Sequence, residues 1–129
     1  MRLVVTGASG FVGRALCADA EQAGHEAVRV VRRAGTEPAG VAAVREIDGN
    51  TDWGTVLRGA DAVLHLAARV HVLRESARDP LAAFRAVNVE GTRRLAEAAA
   101  AAGVPRMVLV SSIKAAVAGD PYGQSKLEA

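Results

Sequence analysis

Apolar positions along the chain fall into two patterns: short continuous runs, and longer stretches spaced at three and four residues. Leu3-Val4-Val5 is a run of β-leaning residues closed by Thr6-Gly7, and it predicts a buried strand. Residues 11–23 carry helical periodicity and stop at Gly24, a natural C-cap. Residues 27–31 predict a second strand and residues 41–47 a third, after a loop over 34–40. A short helix is expected over 51–57, stopped near Gly59, and a fourth strand over 61–66. A long helix then runs from Asp79-Pro80, with proline in its first turn, to Ala102-Gly103. Residues 107–110 predict a fifth strand, and residues 121–129 open another helix.

Strands thus alternate with helices, and several strands are unbroken apolar runs, which means burial on both faces. That combination gives an α/β fold, a Rossmann-type doubly wound parallel sheet. Its 129 residues fit one domain, and half of them are apolar, enough to bury a core.

Charge narrows the partners. Sixteen Lys+Arg face 14 Asp+Glu, and no basic block or aromatic-rich basic stripe appears, so nucleic acid is not an expected partner. No apolar run reaches the roughly 18 residues of a membrane span, and Met1 leads at once into a strand. With a single Cys17, no intrachain disulfide is possible. Together these point to a cytoplasmic protein away from the membrane. His25, His65 and His71 sit in separate elements, so no metal site is expected.

The chemistry begins in the turn Thr6-Gly7-Ala8-Ser9-Gly10-Phe11-Val12-Gly13, between the first strand and the first helix. Gly7 permits the tight turn, Gly10 lets a pyrophosphate approach the backbone, and Gly13 lets helix and strand pack closely. The N–H groups at the helix start then face phosphate charge. The cofactor-binding set here is Gly7, Ser9, Gly10, Phe11, Val12 and Gly13. The G-x-x-G-x-x-G spacing, opened by Thr-Gly, resembles the short-chain dehydrogenase/reductase superfamily. The Gly-Phe-Val-Gly ending is similar to its extended branch, the NAD-dependent epimerase/dehydratases.

An NAD binder would place an acid at the end of the second strand, against the ribose hydroxyls. This chain has Val31-Arg32-Arg33, and guanidinium groups there suit a 2′-phosphate, so the cofactor is NAD(P) with a lean to NADP. The alternative for the arginine pair is a solvated loop. The resemblance makes Glu46-Ile47 the pair that meets the adenine ring. Asp48 is the other candidate, or a helix cap.

Residues 61–68 resemble the family's D-x-V-x-H-L-A-A signature, which sets Leu66, Ala67 and Ala68 along the dinucleotide. His65, on an apolar strand, is read as a satisfied structural histidine. Arg69 follows on the sheet's carboxyl edge, within reach of phosphate or of solvent. Asn88-Val89-Glu90-Gly91-Thr92 matches the N-V-x-G-T helix motif. The resemblance implies that Asn88 ties this helix to the neighbouring strand near the cofactor.

Ser111-Ser112 ends the fifth strand, and Tyr122-Gly123-Gln124-Ser125-Lys126 is a Y-x-x-x-K on a helix. The i,i+4 spacing puts Tyr122 and Lys126 on one helical face. A cation there stabilises a phenolate, so Tyr122 can act as acid and base on a carbinol while Ser112 holds the substrate oxygen. Ser112, Tyr122 and Lys126 are the catalytic candidates, with Ser111, Tyr122 and Lys126 also beside the cofactor.

By resemblance the chain is expected to be similar to the UDP-glucose 4-epimerases. These act on a UDP-sugar through a transient 4-keto intermediate. A reductase of a nucleotide 4-keto sugar using NADPH is the alternative, favoured by Arg32-Arg33. A non-catalytic dinucleotide-binding fragment is another. A homodimer is possible through the 80–102 and 121–129 helices, with core packing as the plainer account of that surface. Two departures from the family bear on activity. Only nine residues separate Ser112 from Tyr122, where the extended family has a longer stretch with a substrate-touching loop. The sequence also stops inside the Tyr/Lys helix. A truncated, marginal domain without the C-terminal substrate domain is therefore expected.

Overall fold

The computed structural model describes residues 1–32, 40–70, 78–117 and 119–129. Strand β1 (Arg2–Thr6) lies at the centre of the sheet. It pairs in parallel with β2 (Glu26–Val31) on one side and β4 (Ala62–His65) on the other. Strand β3 (Val41–Ala43) extends the sheet beyond β2, and β5 (Met107–Leu109) beyond β4, also in parallel. The order is β3-β2-β1-β4-β5. The chain winds one way from β1 through β3 and the other way through β4 and β5. The switch point lies between β1 and β4, and the crevice at their carboxyl ends is where such sheets bind ligands.

Strand alternation divides the core. Leu3, Val5, Ala27 and Ala62 face helix α1 (Phe11–Gln22), meeting Cys17 and Ala20. Val4, Val28, Val30 and Val63 face the opposite side, where Leu95 and Ala99 of α3 (Gly91–Ala101) pack on them. Burying a leucine such as Leu95 contributes roughly 2 kcal/mol. Trp53, fully buried, completes this second core from the segment after β3. Among the described residues its indole Nε1 has no hydrogen-bond partner. Helix α2 (Pro80–Arg85) runs into a π-helical turn (Ala86–Glu90) and then into α3, followed after β5 by α4 (Lys114–Val117) and α5 (Pro121–Glu128).

Several expected elements differ. No helix forms over 51–57. Side chains there take up the backbone groups a helix would use. Thr51 Oγ1 donates to the Glu46 carbonyl at 2.9 Å and accepts from Asp48 N–H at 2.9 Å, and Asp52 Oδ1 accepts from Gly54 N–H at 2.9 Å. One helical bond survives, from Leu57 N–H to the Trp53 carbonyl. The strand expected over 41–47 ends at Ala43, because β2 ends at Val31 and the last ladder bond is Val44 N–H to its carbonyl. The long helix over 80–102 is widened at Ala86–Glu90, where Gly91 N–H reaches the Ala86 carbonyl five residues back. Helix α4 was not anticipated. Burial on both faces holds for β1 but not for the edge strand β5, where Val108 is 52% exposed. No described helix is long and apolar enough to cross a membrane.

Candidate functional site

The glycine turn joins β1 to α1 at the switch point. Gly10 N–H closes the turn onto the Gly7 carbonyl at 2.9 Å, and Gly10 then serves as the N-cap of α1 without a side chain to offer its orphan N–H groups. Ser9, Gly10, Phe11 and Val12 are exposed, so the positive end of α1 faces outward. Gly13 is buried, and a Cβ on it would stand 2.2 Å from the Gly7 carbonyl oxygen. Gly7 adopts φ +69, and a Cβ there would lie 2.8 Å from Ala67 N. The turn after β1 and the turn after β4 therefore touch through backbone alone. Together they leave a cradle that small residues keep open, which fits a pyrophosphate.

Leu66, Ala67 and Ala68 line the β4 side and are half-buried. Ala67 N–H donates to Thr6 Oγ1 at 3.1 Å. Arg32 is exposed at the carboxyl end of β2, while Arg33 and His71 lie outside the described residues. Glu46 is exposed, whereas Ile47 is buried in the core and meets Gly91 of the N-V-x-G-T motif. A Cβ on Gly91 would come within 2.8 Å of Ile47 Cγ2. Asp48 caps a turn instead of a helix, its Oδ1 accepting from Asn50 N–H at 2.8 Å.

His65 is buried, with Nδ1 2.6 Å from Thr6 Oγ1 and Nε2 3.0 Å from Thr92 Oγ1. Burial first, and the nearby Lys126 charge second, bring its pKa down to about 4. It is the satisfied histidine that its apolar strand implied. Asn88, also buried, makes three bonds. Its Oδ1 accepts from Arg69 N–H at 2.7 Å, and its Nδ2 donates to the Arg69 carbonyl at 3.0 Å and to Ser125 Oγ at 2.9 Å. The Arg69 guanidinium carbon stands 5.3 Å from the Phe84 ring centroid, and Phe84 lies 6.2 Å from the Tyr122 ring.

Helix α5 brings in Tyr122 and Lys126. Asp120 caps it, accepting from Gly123 N–H at 2.6 Å, and Pro121 opens its first turn. Lys126 is buried, and its Nζ donates to the Val110 carbonyl at 2.9 Å, immediately before the exposed Ser111 and half-buried Ser112. Burial pushes the Lys126 pKa down. Ser112 Oγ accepts from Lys114 N–H at 3.2 Å, and Lys114 pairs with Asp120 at 2.5 Å, so an ion pair spans the short connection to Tyr122. Arg85 of α2 holds Glu128 of α5 through two bonds of 2.7 and 2.6 Å. The β5 end and α5 thus meet beside the switch-point turns, joined to them by Asn88. Thr6, Thr92 and Ser125 were not singled out from sequence. Each stands inside a quoted motif, where its neighbour drew the attention.

The model of the NAD dependent epimerase/dehydratase family matches residues 3–128. A UDP-glucose 4-epimerase of Vibrio cholerae is 34% identical over 145 residues, covering 98% of this chain and 44% of that protein. A short-chain dehydrogenase/reductase superfamily protein of Agrobacterium tumefaciens with bound NAD superposes at TM-score 0.76 with 32% identity, over 99% of this chain and 42% of that one. UDP-glucuronic acid 4-epimerase of Bacillus cereus in complex with NAD superposes at TM-score 0.76 with 25% identity, over 99% of this chain and 50% of that one. The chain therefore spans about half the length of the relatives it matches.

Proposed function

The chain belongs to the NAD dependent epimerase/dehydratase family, and from that premise we propose that it supplies the dinucleotide-binding and acid–base part of a nucleotide-sugar 4-epimerase. The observation that carries the reading is the meeting of two structures at one sheet edge. The open glycine cradle stands at the switch point, and the Tyr122/Lys126 helix is docked on the end of β5 through Lys126 and Val110.

The N–H groups of Phe11, Val12 and Gly13 hold the pyrophosphate, with Gly7, Ser9 and Gly10 keeping the approach clear. Leu66, Ala67 and Ala68 form the wall along the dinucleotide, and Glu46 with the Ile47 backbone takes the adenine end. Asn88 and Ser111 complete the nicotinamide side. Bound NAD(P) supplies the hydride acceptor. Ser112 holds the sugar C4 oxygen, and Tyr122 takes its proton as the C4–H bond breaks, leaving a 4-keto sugar. Tyr122 then returns the proton to the C4 oxygen, and the epimer would follow when the bound dinucleotide gave its hydride back to the other face. Lys126 keeps positive charge beside the phenol.

A second reading is reduction of a nucleotide 4-keto sugar with NADPH. The exposed Arg32 at the end of β2 favours it, because a guanidinium there suits a 2′-phosphate.

The test has two stages. NAD+ and NADP+ are titrated by calorimetry, and UDP-glucose is then incubated with the preferred cofactor and assayed for UDP-galactose. Tyr122→Phe is expected to hold dinucleotide affinity within about threefold while turnover falls by ~10²–10⁴. Net consumption of NADPH with a 4-keto sugar would select the reductase. Dinucleotide binding without turnover of either substrate would select a non-catalytic binding module. No dinucleotide binding at all would sink the proposal.

A further inference from the structure

Five buried or half-buried groups form one continuous hydrogen-bonded line across the sheet, and the proton positions in it can be worked out. Thr92 Oγ1 donates its one proton to the Asn88 carbonyl at 2.7 Å. Its 3.0 Å contact with His65 Nε2 must then be a bond donated by the ring. A neutral ring protonated at Nε2 leaves Nδ1 as an acceptor, so Thr6 Oγ1 donates to it at 2.6 Å. The Thr6 oxygen in turn accepts from Ala67 N–H. The line has one direction: Ala67 N–H to Thr6, Thr6 to His65, His65 to Thr92, and Thr92 to the Asn88 carbonyl.

That carbonyl belongs to the π-helical turn, where the ordinary helix ladder is interrupted. The Thr92 hydroxyl bonds that carbonyl one turn back, and the His65 proton holds the Thr92 hydroxyl in place. The same wide turn carries the Asn88 side chain onto both polar groups of Arg69 and onto Ser125, one residue before Lys126.

We propose that His65, neutral and protonated on Nε2, is a positioning residue: through Thr92 it holds the wide turn that aims Asn88 at the Arg69 peptide and at the Lys126 helix. It touches neither cofactor nor substrate. Its effect on catalysis rests on the reading above, but the alignment itself is a property of the chain without ligand. Lys126 is the charged group that acts on the ring.

The test is made on the full chain without ligand. Long-range proton–nitrogen spectra of the imidazole are expected to show a neutral ring with the proton on Nε2 at pH 6 and above. An Nδ1-protonated or charged ring there would overturn the proposal. His65→Gln can keep a donor where Nε2 stood, whereas His65→Asn can keep only a group where Nδ1 stood. Hydrogen exchange of the Arg69 amide, bonded to Asn88 Oδ1, is expected to stay within about threefold in His65→Gln and to quicken by about tenfold in His65→Asn, the weight of one buried hydrogen bond. Equal exchange in the two variants would also overturn it. If neither variant folds, the ring spectrum of the unaltered chain decides alone. Titration with NAD+ afterwards reports separately on the functional reading. Failure to bind NAD+ with the ring and exchange results intact would refute that reading and leave the alignment standing.

Discussion

Asn88 and Arg69, nineteen residues apart, are joined by two hydrogen bonds in which one side-chain amide meets both the N–H and the C=O of one residue. The amide acts as a strand would, satisfying a backbone that has left the sheet. Its third bond, to Ser125, adds α5 to the same node. Asn88→Ala removes all three and leaves the Arg69 backbone groups short of partners. We expect a loss of about 2–4 kcal/mol in urea unfolding. A loss under about 0.5 kcal/mol would mean that water replaces the amide freely.

Gly13→Ala tests the cradle. The added methyl would lie 2.2 Å from the Gly7 carbonyl and 2.8 Å from Ala8 Cα, both backbone. Neither can swing away, so α1 must shift off the turn. The expected cost is about 1–3 kcal/mol in stability, with NAD+ affinity falling by at least about tenfold by calorimetry. Unchanged affinity would show that the turn does not grip the cofactor.

Lys126→Met separates stability from chemistry. Burial lowers the Lys126 pKa in the folded state, so between that value and the ordinary lysine range the unfolded chain binds more protons. Stability carried by this group therefore rises with pH across that window and is lowest below it, where the buried ammonium is charged. The methionine variant lacks that rise. Its midpoint in urea is expected to match or exceed that of the parent at pH 7, with the gap closing towards pH 10, while turnover is lost. A variant less stable at pH 7, with a parallel profile, would contradict this.

Acid stability follows His65. Its folded pKa of about 4 lies below the ordinary histidine value, so as pH falls from about 6.5 to 4 the unfolded chain takes up the proton first. Stability from this group is present above that window and is lost through it, by roughly 3 kcal/mol in all. Urea unfolding between pH 7 and pH 4 should show this slope, and His65→Gln should flatten it. An unchanged slope in the variant would place the acid sensitivity elsewhere.

The sheet was legible because its strands are unbroken apolar runs and its turns carry glycine where positive φ is needed, as at Gly7 and Gly59. The glycine turn and the helix that carries Tyr122 and Lys126 were legible because their spacing encodes local geometry. The helix over 51–57 was misread because Thr51 and Asp52 use side-chain oxygens to bind backbone that helical periodicity assigns to the ladder. The wide turn at Ala86–Glu90 leaves no mark in the hydrophobic pattern, since one extra residue per turn is too small a change over five positions. Thr6, Thr92 and Ser125 work across sequence separations that no local pattern reveals.

Trp53 gives the molecule a built-in optical reporter. The chain has one tryptophan, fully buried on the α3 side of the sheet, with no hydrogen-bond partner for its indole among the described residues. Its emission should be blue and should redden only when that core opens. Loss of α5 would leave the fluorescence untouched while lowering the helical circular dichroism. The two signals, followed together through a melt, thus time the departure of the Tyr122 helix against the collapse of the sheet.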